Sequence, residues 1–130
     1  MADVAIGGRR QIVTPLIQSR GDVFVALLGP TRGSEQSGIR PVVVVSRDAI
    51  NHNSSVIVCI PFTDLANCPR IYPSQVLVKK GIGGLAKDSV AMCEQVRAIA
   101  VTRLKTHLGR LDVQTLAMVE ERLKIALDLE

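Results

Sequence analysis

The chain has 130 residues, of which 47% are hydrophobic and only 2% aromatic. This length favours one domain with a core of Val, Ile, Leu and Ala. The formal net charge is +4, but residues 1–111 hold 14 Lys and Arg against 7 Asp and Glu, whereas residues 112–130 hold 2 against 5. A basic body with an acidic tail suits a polyanion such as nucleic acid, although a solvated surface that carries lysines explains it equally well.

Cysteine usage and hydropathy point to a compartment. The three cysteines, an odd number without a C-x-x-C pair, argue against a disulfide framework or a zinc site and favour a reducing environment. No apolar run reaches the ~20 residues of a membrane span. The first ten residues also lack the apolar segment of a secretory signal. We therefore expect a cytoplasmic protein with no membrane association.

The first part of the chain gives no structural signal. Residues 1–19 show no hydrophobic period, and Pro15 interrupts their one apolar run. We expect a poorly ordered N-terminal leader over 1–19 and the folded domain over 20–130. Within the domain, five short segments rich in β-branched residues predict strands. They lie at 22–29, 42–45, 55–62, 75–78 and 89–93.

The segments between and after these strands predict loops and helices. Residues 30–38 and 64–74 contain prolines and small polar residues, which predict two loops, the first of them flexible. Residues 47–53 are compatible with one helical turn, and 101–107 with a short helix. The last segment is the clearest helix, because Asp112 suits an N-cap and apolar residues recur behind it at helical spacing. These residues are Leu116, Val119, Leu123 and Ala126.

This order of elements predicts a fold class. Several short strands followed by one strong helix indicate a mostly β (α+β) protein. The expected architecture is a small, mainly antiparallel β-barrel with the C-terminal helix packed against it.

Arg40 stands where the flexible loop 30–38 meets the rigid run of four valines at 42–45. Its planar guanidinium matches phosphate oxygens, and it is anchored on one side and open to a ligand on the other. No common catalytic motif or metal-ligand spacing is present in the sequence, and neither His52 nor His107 has an obvious partner. The remaining residues fit cleavage of RNA by its own 2′-hydroxyl, in which the protein orients the substrate and stabilises charge. Thr63, at the end of the third predicted strand, supplies a hydroxyl for the same centre.

At these residues the chain also resembles a known family. The segment GSEQSGIRPVVVVS, residues 33–46, closely resembles the signature of the MazF/PemK family of toxin endoribonucleases, the mRNA interferases. The segment RGDV at 20–23, Thr63, the segment DSVAMCEQVRAI at 88–99 and Arg103 follow in the family's order and spacing. The resemblance covers residues 20 to about 128.

The resemblance implies a fold, an activity and partners. The expected fold is an SH3-like barrel of the CcdB/PemK type that forms a homodimer and is blocked by a MazE/PemI-like antitoxin protein. The expected activity is sequence-specific cleavage of single-stranded RNA (mRNA) without a metal or other cofactor. The products would carry a 2′,3′-cyclic phosphate and a 5′-hydroxyl.

Carried over to this chain, the resemblance makes Arg40 and Thr63 the catalytic residues. It matches Ser34, Glu35, Gln36 and Gln95 to positions of the RNA site. The expected RNA-binding set also includes Arg32, Glu94 and Tyr72. The ring of Tyr72 can stack on a base.

Members most like PemK use a different arrangement, an arginine two residues before an acidic base on the fifth strand. Here Met92 replaces that arginine, Glu94 stands in the place of the acid, and Ser34 replaces a histidine. The PemK-type arrangement is incomplete, which favours Arg40 and Thr63. Whether Glu94 takes part in proton transfer stays open.

Two other functions are compatible with this barrel. A CcdB-like toxin traps a topoisomerase and would leave RNA intact, and a non-catalytic barrel would bind RNA without cutting it. Individual residues also have plainer interpretations. Arg40 could pair with an acid at the barrel rim, Thr63 could be an ordinary strand residue, and Glu35 could bond the loop backbone.

Overall fold

The computed structural model describes residues 2–6, 9–13, 17–30, 32, 33, 36 and 38–130, with 2–6 and 9–13 described as backbone only. Among these residues the elements follow in the order β1 (Ala2–Ile6), β2 (Arg9–Val13), β3 (Asp22–Leu27), β4 (Ile39–Val44), α1 (Asp48–Asn51), β5 (Val56–Asp64), β6 (Gln75–Val78), β7 (Ser89–Met92), β8 (Arg97–Ala100), β9 (Leu104–Arg110) and α2 (Val113–Leu127).

Seven of the strands form one antiparallel sheet in the order β6-β7-β5-β4-β3-β9, and β8 also pairs with β5. The long strand β5 joins the two halves of this sheet. Its residues 56–59 pair with β8, and its residues 62–64 pair with β7. Within the described residues the terminal strands β6 and β9 do not pair with each other, so the sheet is barrel-like without being closed.

The valine run of β4 is buried on both faces of the sheet. Val42, Val43 and Val44 are each 0% exposed. Successive side chains of a strand point to opposite faces, and Val43 accordingly packs in one core cluster while Val42 and Val44 pack in another. A strand covered on both faces explains why this part of the sequence is continuously apolar and does not alternate.

The C-terminal helix covers the first of these clusters. Asp112 caps α2 by accepting a hydrogen bond from the backbone N of Thr115 at 2.6 Å. Val119 is fully buried, and the other three residues of the predicted stripe pack against the same cluster: Leu116, Leu123 and Ala126. The predicted fold class, a mostly antiparallel β protein with a packed C-terminal helix, is confirmed. None of the described helices is long and apolar enough to cross a membrane.

Three local predictions differ from the structure. The helix predicted at 101–107 is wrong, because Val101–Arg103 is a 3₁₀ turn and β9 follows it as the partner of β3. Strand β8 was not predicted, since its four residues, Arg97–Ala100, include two alanines and one β-branched residue and so carry little strand signal. No element was expected before residue 20, yet β1 pairs with β2 as an antiparallel hairpin. The division into a leader and a domain at residue 20 stays a prediction.

Candidate active site

Arg40 and Thr63 come together on two neighbouring strands. Arg40 lies in β4, opposite Ala26 of β3. β4 pairs with β5 from Val42, opposite Pro61, to Val44, opposite Cys59, so Arg40 and Thr63 each lie two residues beyond the Val42–Pro61 pair. Side chains two residues apart in a strand point to the same face, so Arg40 shares the face of Val42 and Thr63 that of Pro61. Both residues line one pocket of about 200 Å³.

The pocket combines buried apolar side chains with polar groups. Phe62 and Leu85 form apolar parts of its lining and are 1% and 3% exposed. Thr63 is also buried, with 7% of its surface exposed, whereas Arg40 is half-buried. A phosphate that enters this pocket would meet a strand-held guanidinium and a hydroxyl, the kind of donors that bind phosphate oxygens.

Two further charged side chains line the same pocket. Asp64 Oδ1 accepts a hydrogen bond from the backbone N of Ala66 at 2.9 Å, and Asp64 Oδ2 lies 3.4 Å from Lys87 Nζ. The hydrogen bond from Ala66, more than the nearby Lys87, lowers the pKa of the Asp64 carboxyl. Asp64 is therefore a carboxylate at neutral pH and a weak proton acceptor.

A second group of residues holds the loop before β4. Gln95 Oε1 accepts a hydrogen bond from the backbone N of Gln36 at 2.7 Å, and Arg97 Nη1 donates to the backbone O of Gln36 at 3.2 Å. We call these two contacts the Gln36 clamp. They join residues 59 and 61 positions apart in the sequence. The segment just before and within β8 thereby fixes one point of the loop.

Glu94 and Tyr72 belong to a neighbouring network. Glu94 Oε2 accepts from Gln75 Nε2 at 2.7 Å, and Glu94 Oε1 accepts from Ser74 Oγ at 3.3 Å. Gln75 Oε1 in turn accepts from the backbone N of Tyr72 at 3.0 Å. The Tyr72 side chain is 53% exposed, with the Arg70 guanidinium 5.3 Å from its ring centre. Its ring is accessible for stacking on a base.

The buried cysteines are not activated nucleophiles, and each histidine lies near an aspartate. Burial raises the pKa values of Cys59 and Cys93 to about 12, so neither thiol is an activated nucleophile. His52 lies 3.9 Å from Asp48, and His107 lies 3.4 Å from another aspartate of the domain, Asp22. Within the described ranges, no group of three or more His, Cys, Asp and Glu side chains is arranged to hold a metal ion.

The sequence profile of the PemK-like, MazF-like toxins of type II toxin–antitoxin systems matches residues 19–127. The chain belongs to this family. The predicted resemblance is thereby confirmed. The matched range includes Arg40, Thr63 and the whole seven-stranded sheet, and it begins after the separate β1–β2 hairpin.

Relatives of this toxin are similar over most of their length. Endoribonuclease MazF9 of Mycobacterium tuberculosis is 41% identical over 115 residues, which cover 85% of this chain and 96% of the relative. Endoribonuclease MazF of Staphylococcus epidermidis is 40% identical over 110 residues, which cover 85% of this chain and 91% of the relative.

Solved structures share the fold of this toxin. The crystal structure of MazF from Deinococcus radiodurans has a TM-score of 0.75 at 23% identity and covers 88% of this chain and 100% of that one. An endoribonuclease in complex with its cognate antitoxin, from mycobacterial species, has a TM-score of 0.72 at 22% identity, with 86% and 96% covered. At these identities the likeness concerns the fold alone.

The structure brings together some of the predicted site residues of this toxin and separates others. Arg40 and Thr63 share one pocket, whereas Glu94 and Gln95 line another hollow, next to Arg97. Arg32 is exposed, and Ser34 and Glu35 lie outside the described residues. The catalytic and RNA-binding roles of all nine predicted residues stay predictions.

Sequence reasoning missed three polar residues of the Arg40–Thr63 pocket: Asp64, Lys87 and Ser89. Asp64 follows Thr63 directly, which was an available signal. The other two reach the pocket because β7 pairs with residues 62–64 of β5. That pairing was not predicted, and it leaves no local mark in the sequence.

Proposed function

We propose that this toxin cuts single-stranded RNA, including mRNA, at specific short sequences by using the 2′-hydroxyl of the substrate as nucleophile, without a metal ion. The activity class follows from the family and the relatives: the chain is an endoribonuclease toxin of a type II toxin–antitoxin system, as predicted. One observation carries the proposed chemistry. Arg40 and Thr63, on adjacent strands, line the same open pocket.

The proposed reaction is an intramolecular transesterification at phosphorus. The 2′-oxygen bonds to phosphorus and releases its proton to solvent water, and the bond from phosphorus to the 5′-oxygen breaks as that oxygen takes up a proton from Arg40, which solvent water then reprotonates. The products carry a 2′,3′-cyclic phosphate and a 5′-hydroxyl. Arg40 stabilises the charge that develops on the non-bridging oxygens and donates the proton to the leaving oxygen. Thr63 Oγ1 hydrogen-bonds the same phosphate. We assign no proton transfer to Asp64, because the hydrogen bond from Ala66 lowers the pKa of its carboxyl and makes it a weaker proton acceptor.

The remaining predicted contacts form the RNA-binding surface in this proposal. Tyr72 stacks a base, since its ring is exposed. Gln36 and Gln95 set the position of the loop beside the strand through the Gln36 clamp. The other members of the set contact the RNA on either side of the cut: Arg32, Ser34, Glu35 and Glu94.

Digestion of a long single-stranded RNA in excess EDTA tests the chemistry. We expect the wild-type protein to remain active, and mapping the new 5′ ends gives the recognition sequence. Arg40→Ala removes the charge stabilisation and should lower the cleavage rate by at least ~100-fold, the scale for loss of one such group. Thr63→Val keeps the side-chain shape and should lower the rate roughly tenfold or more through one lost hydrogen bond to a charged group.

The control is an oligonucleotide with a 2′-deoxy sugar at the mapped cut site, which should not be cleaved because its nucleophile is missing. Loss of wild-type activity in EDTA, or full activity of Arg40→Ala, would contradict the proposal. RNA binding without any product would instead favour the non-catalytic barrel. The gyrase-poison alternative has no support among the relatives described above, which are named endoribonucleases.

We also propose that the protein is a cytoplasmic homodimer that an antitoxin protein neutralises. The support is the family, and a solved relative is in complex with its cognate antitoxin. The helix α2 also exposes apolar side chains that suit a protein partner: Val113, Met118, Ile125 and Leu127. Light scattering on the purified protein should give twice the 14.0 kDa of one chain. A monomer at micromolar concentration would contradict the dimer.

A further inference from the structure

The Arg40–Thr63 pocket continues into a second hollow. This neighbouring hollow has a volume of about 500 Å³ and shares Asp64, Ala86 and Lys87 with the first pocket. Lys80 lines its other part. The two hollows adjoin at these shared residues, and together they are called the groove: Arg40 lines the first hollow, Lys80 the second, and Lys87 lines both. A strand of RNA whose cut phosphate lies at Arg40 can place a neighbouring phosphate in this groove.

The backbone around Lys87 is held in place by hydrogen bonds from both sides of the groove. The backbone N of Leu65 donates to the carbonyl O of Asp88 at 3.0 Å. The backbone N of Lys80 donates to Asp88 Oδ1 at 2.8 Å, and Ser89 Oγ donates to the carbonyl O of Lys87 at 2.8 Å. Lys87 therefore has a fixed backbone, while 74% of its side chain is exposed. A ligand can bind this ammonium without rearranging the groove.

Lys87 has one ionic partner among the described residues, and the partnership is weak. Its Nζ lies 3.4 Å from Asp64 Oδ2, and exposed ion pairs of this kind contribute little to stability. Asp64 keeps its hydrogen bond from Ala66 if Lys87 leaves. Exchange of the carboxylate for a phosphate is thus possible without leaving an unsatisfied group behind.

We propose that Lys87 binds a backbone phosphate that flanks the cut phosphate, and that Asp64 competes with this phosphate for Lys87. This subsite rests on the proposed function, because it takes its position from a cut phosphate at Arg40. Lys87 acts on binding, whereas Arg40 and Thr63 act on the chemical step. Asp64 weakens RNA binding, since its charge both repels phosphate and occupies Lys87.

A binding experiment tests the charge exchange without cleavage. The ligand is a short RNA that carries the mapped cut sequence with a 2′-deoxy sugar at the cut. Lys87→Met keeps most of the side-chain length and should weaken binding on the order of fivefold, the upper range for an exposed charge pair. The slope of the logarithm of the binding constant against the logarithm of the salt concentration should also become shallower by about 0.7, the value for one phosphate contact on a single strand. Lys105→Met is the matched control: Lys105 is exposed, donates to the carbonyl O of Thr102, and lines neither hollow.

Asp64→Asn distinguishes competition from a simple salt effect. It removes the charge but keeps an oxygen that can accept from Ala66, and it should tighten RNA binding roughly two- to fivefold. In the double variant with Lys87→Met most of this gain should disappear, because the released ammonium is no longer there. If Asp64→Asn tightens binding equally in both backgrounds, Asp64 does not act through Lys87 and the competition is excluded.

Neutral phosphates locate the contact. Each phosphate that flanks the cut is replaced in turn by an uncharged methylphosphonate, and every oligonucleotide is measured with the wild-type protein and with Lys87→Met. At the phosphate bound by Lys87, the two changes should be non-additive: the modification weakens wild-type binding several-fold and has almost no further effect on the variant. Additivity at every flanking phosphate, or wild-type binding by Lys87→Met, would overturn the subsite.

The outcome is independent of the proposed chemistry. If wild-type protein cuts the unmodified RNA in EDTA while Lys87→Met behaves like Lys105→Met, the subsite fails and the cleavage mechanism stands. If RNA is not cut at all, the proposed function fails and no cut site is mapped. Binding of a single-stranded RNA of mixed sequence by Lys87→Met and by Lys105→Met then shows whether Lys87 binds phosphate: equal binding by the two variants overturns the subsite.

Discussion

The Gln36 clamp makes a prediction about how the loop before β4 acts in RNA binding. Gln95 accepts from the backbone N of Gln36 at 2.7 Å, and Arg97 donates to its backbone O at 3.2 Å. Gln95→Ala and Arg97→Ala each remove one of these contacts and release the loop. Arg40 and Thr63 are held by other pairs, to Ala26 and to Val90. We therefore expect weaker RNA binding with nearly unchanged chemistry.

The magnitude follows from the hydrogen bonds. A hydrogen bond from a charged donor contributes about 1.5–3 kcal/mol when well buried, but Arg97 and Gln36 are only partly buried, so about 1 kcal/mol is the appropriate scale. A similar cost follows when the Gln36 amide loses Gln95. Each substitution should therefore raise KM about fivefold, since 1.4 kcal/mol corresponds to about tenfold. The double variant should cost less than the product of the two, because both substitutions release the same residue.

Steady-state kinetics on an oligonucleotide with the mapped cut sequence checks this prediction. KM should rise and kcat should stay within about twofold of the wild-type value. Arg97→Lys keeps a donor and should recover part of the loss. Lys105→Ala, which removes another charged donor from a backbone carbonyl, should change neither constant. If the two substitutions lower kcat and leave KM unchanged, or if their effects multiply fully, the clamp does not control the loop.

Three other predictions concern the domain as a whole. Asp112→Ala should lower the thermal midpoint at pH 7, because the carboxylate caps α2. The hydrogen bond from Thr115 lowers the pKa of the Asp112 carboxyl, so the cap stabilises the fold above about pH 4 and is lost as acid protonates this carboxyl in the folded protein. The thermal midpoints of wild type and variant should therefore converge in acid. Gly84→Ala should lower the free energy of unfolding, measured by denaturant titration, by roughly 3 kcal/mol or more, because φ of Gly84 is +77° and a Cβ would lie 2.0 Å from a backbone oxygen of β9. Gly81→Ala is the control: φ of Gly81 is +93°, but a Cβ would meet open space, so the loss should be about 1 kcal/mol. A thiol reagent at pH 8 should modify one cysteine of the folded protein, Cys68, and all three in urea; rapid reaction of a second thiol in the folded state would contradict the burial of the others, which are Cys59 and Cys93.

Local patterns in the sequence were sufficient for several elements. The four valines predicted β4, and the helical spacing behind Asp112 predicted α2 with its cap and its buried face. The same kind of evidence placed Arg40 at a loop–strand junction. Such features depend on neighbours within one or two turns of the chain, so composition and period are enough to detect them.

The strands β8 and β9, and the partners of every strand, could not be predicted in this way. The predicted helix at 101–107 covers the first four residues of β9, although these residues belong to a strand that pairs with β3 and places His107 against Phe24. Tertiary pairing overrides the weak preference of a seven-residue segment, because each strand satisfies its backbone groups through residues distant in sequence.

The sequence alone determined which part of the chain forms the core strand, which forms the covering helix, and which arginine stands at the mouth of the sheet. Only the tertiary structure decided what surrounds that arginine. The pairing of β4 with β5 brings Arg40 and Thr63 to one pocket, and the pairing of β5 with β7 adds Asp64 and Lys87 to it. The reason is that register is a property of two strands together: shifting one strand by a single residue would leave its own pattern intact and turn these side chains to the opposite face.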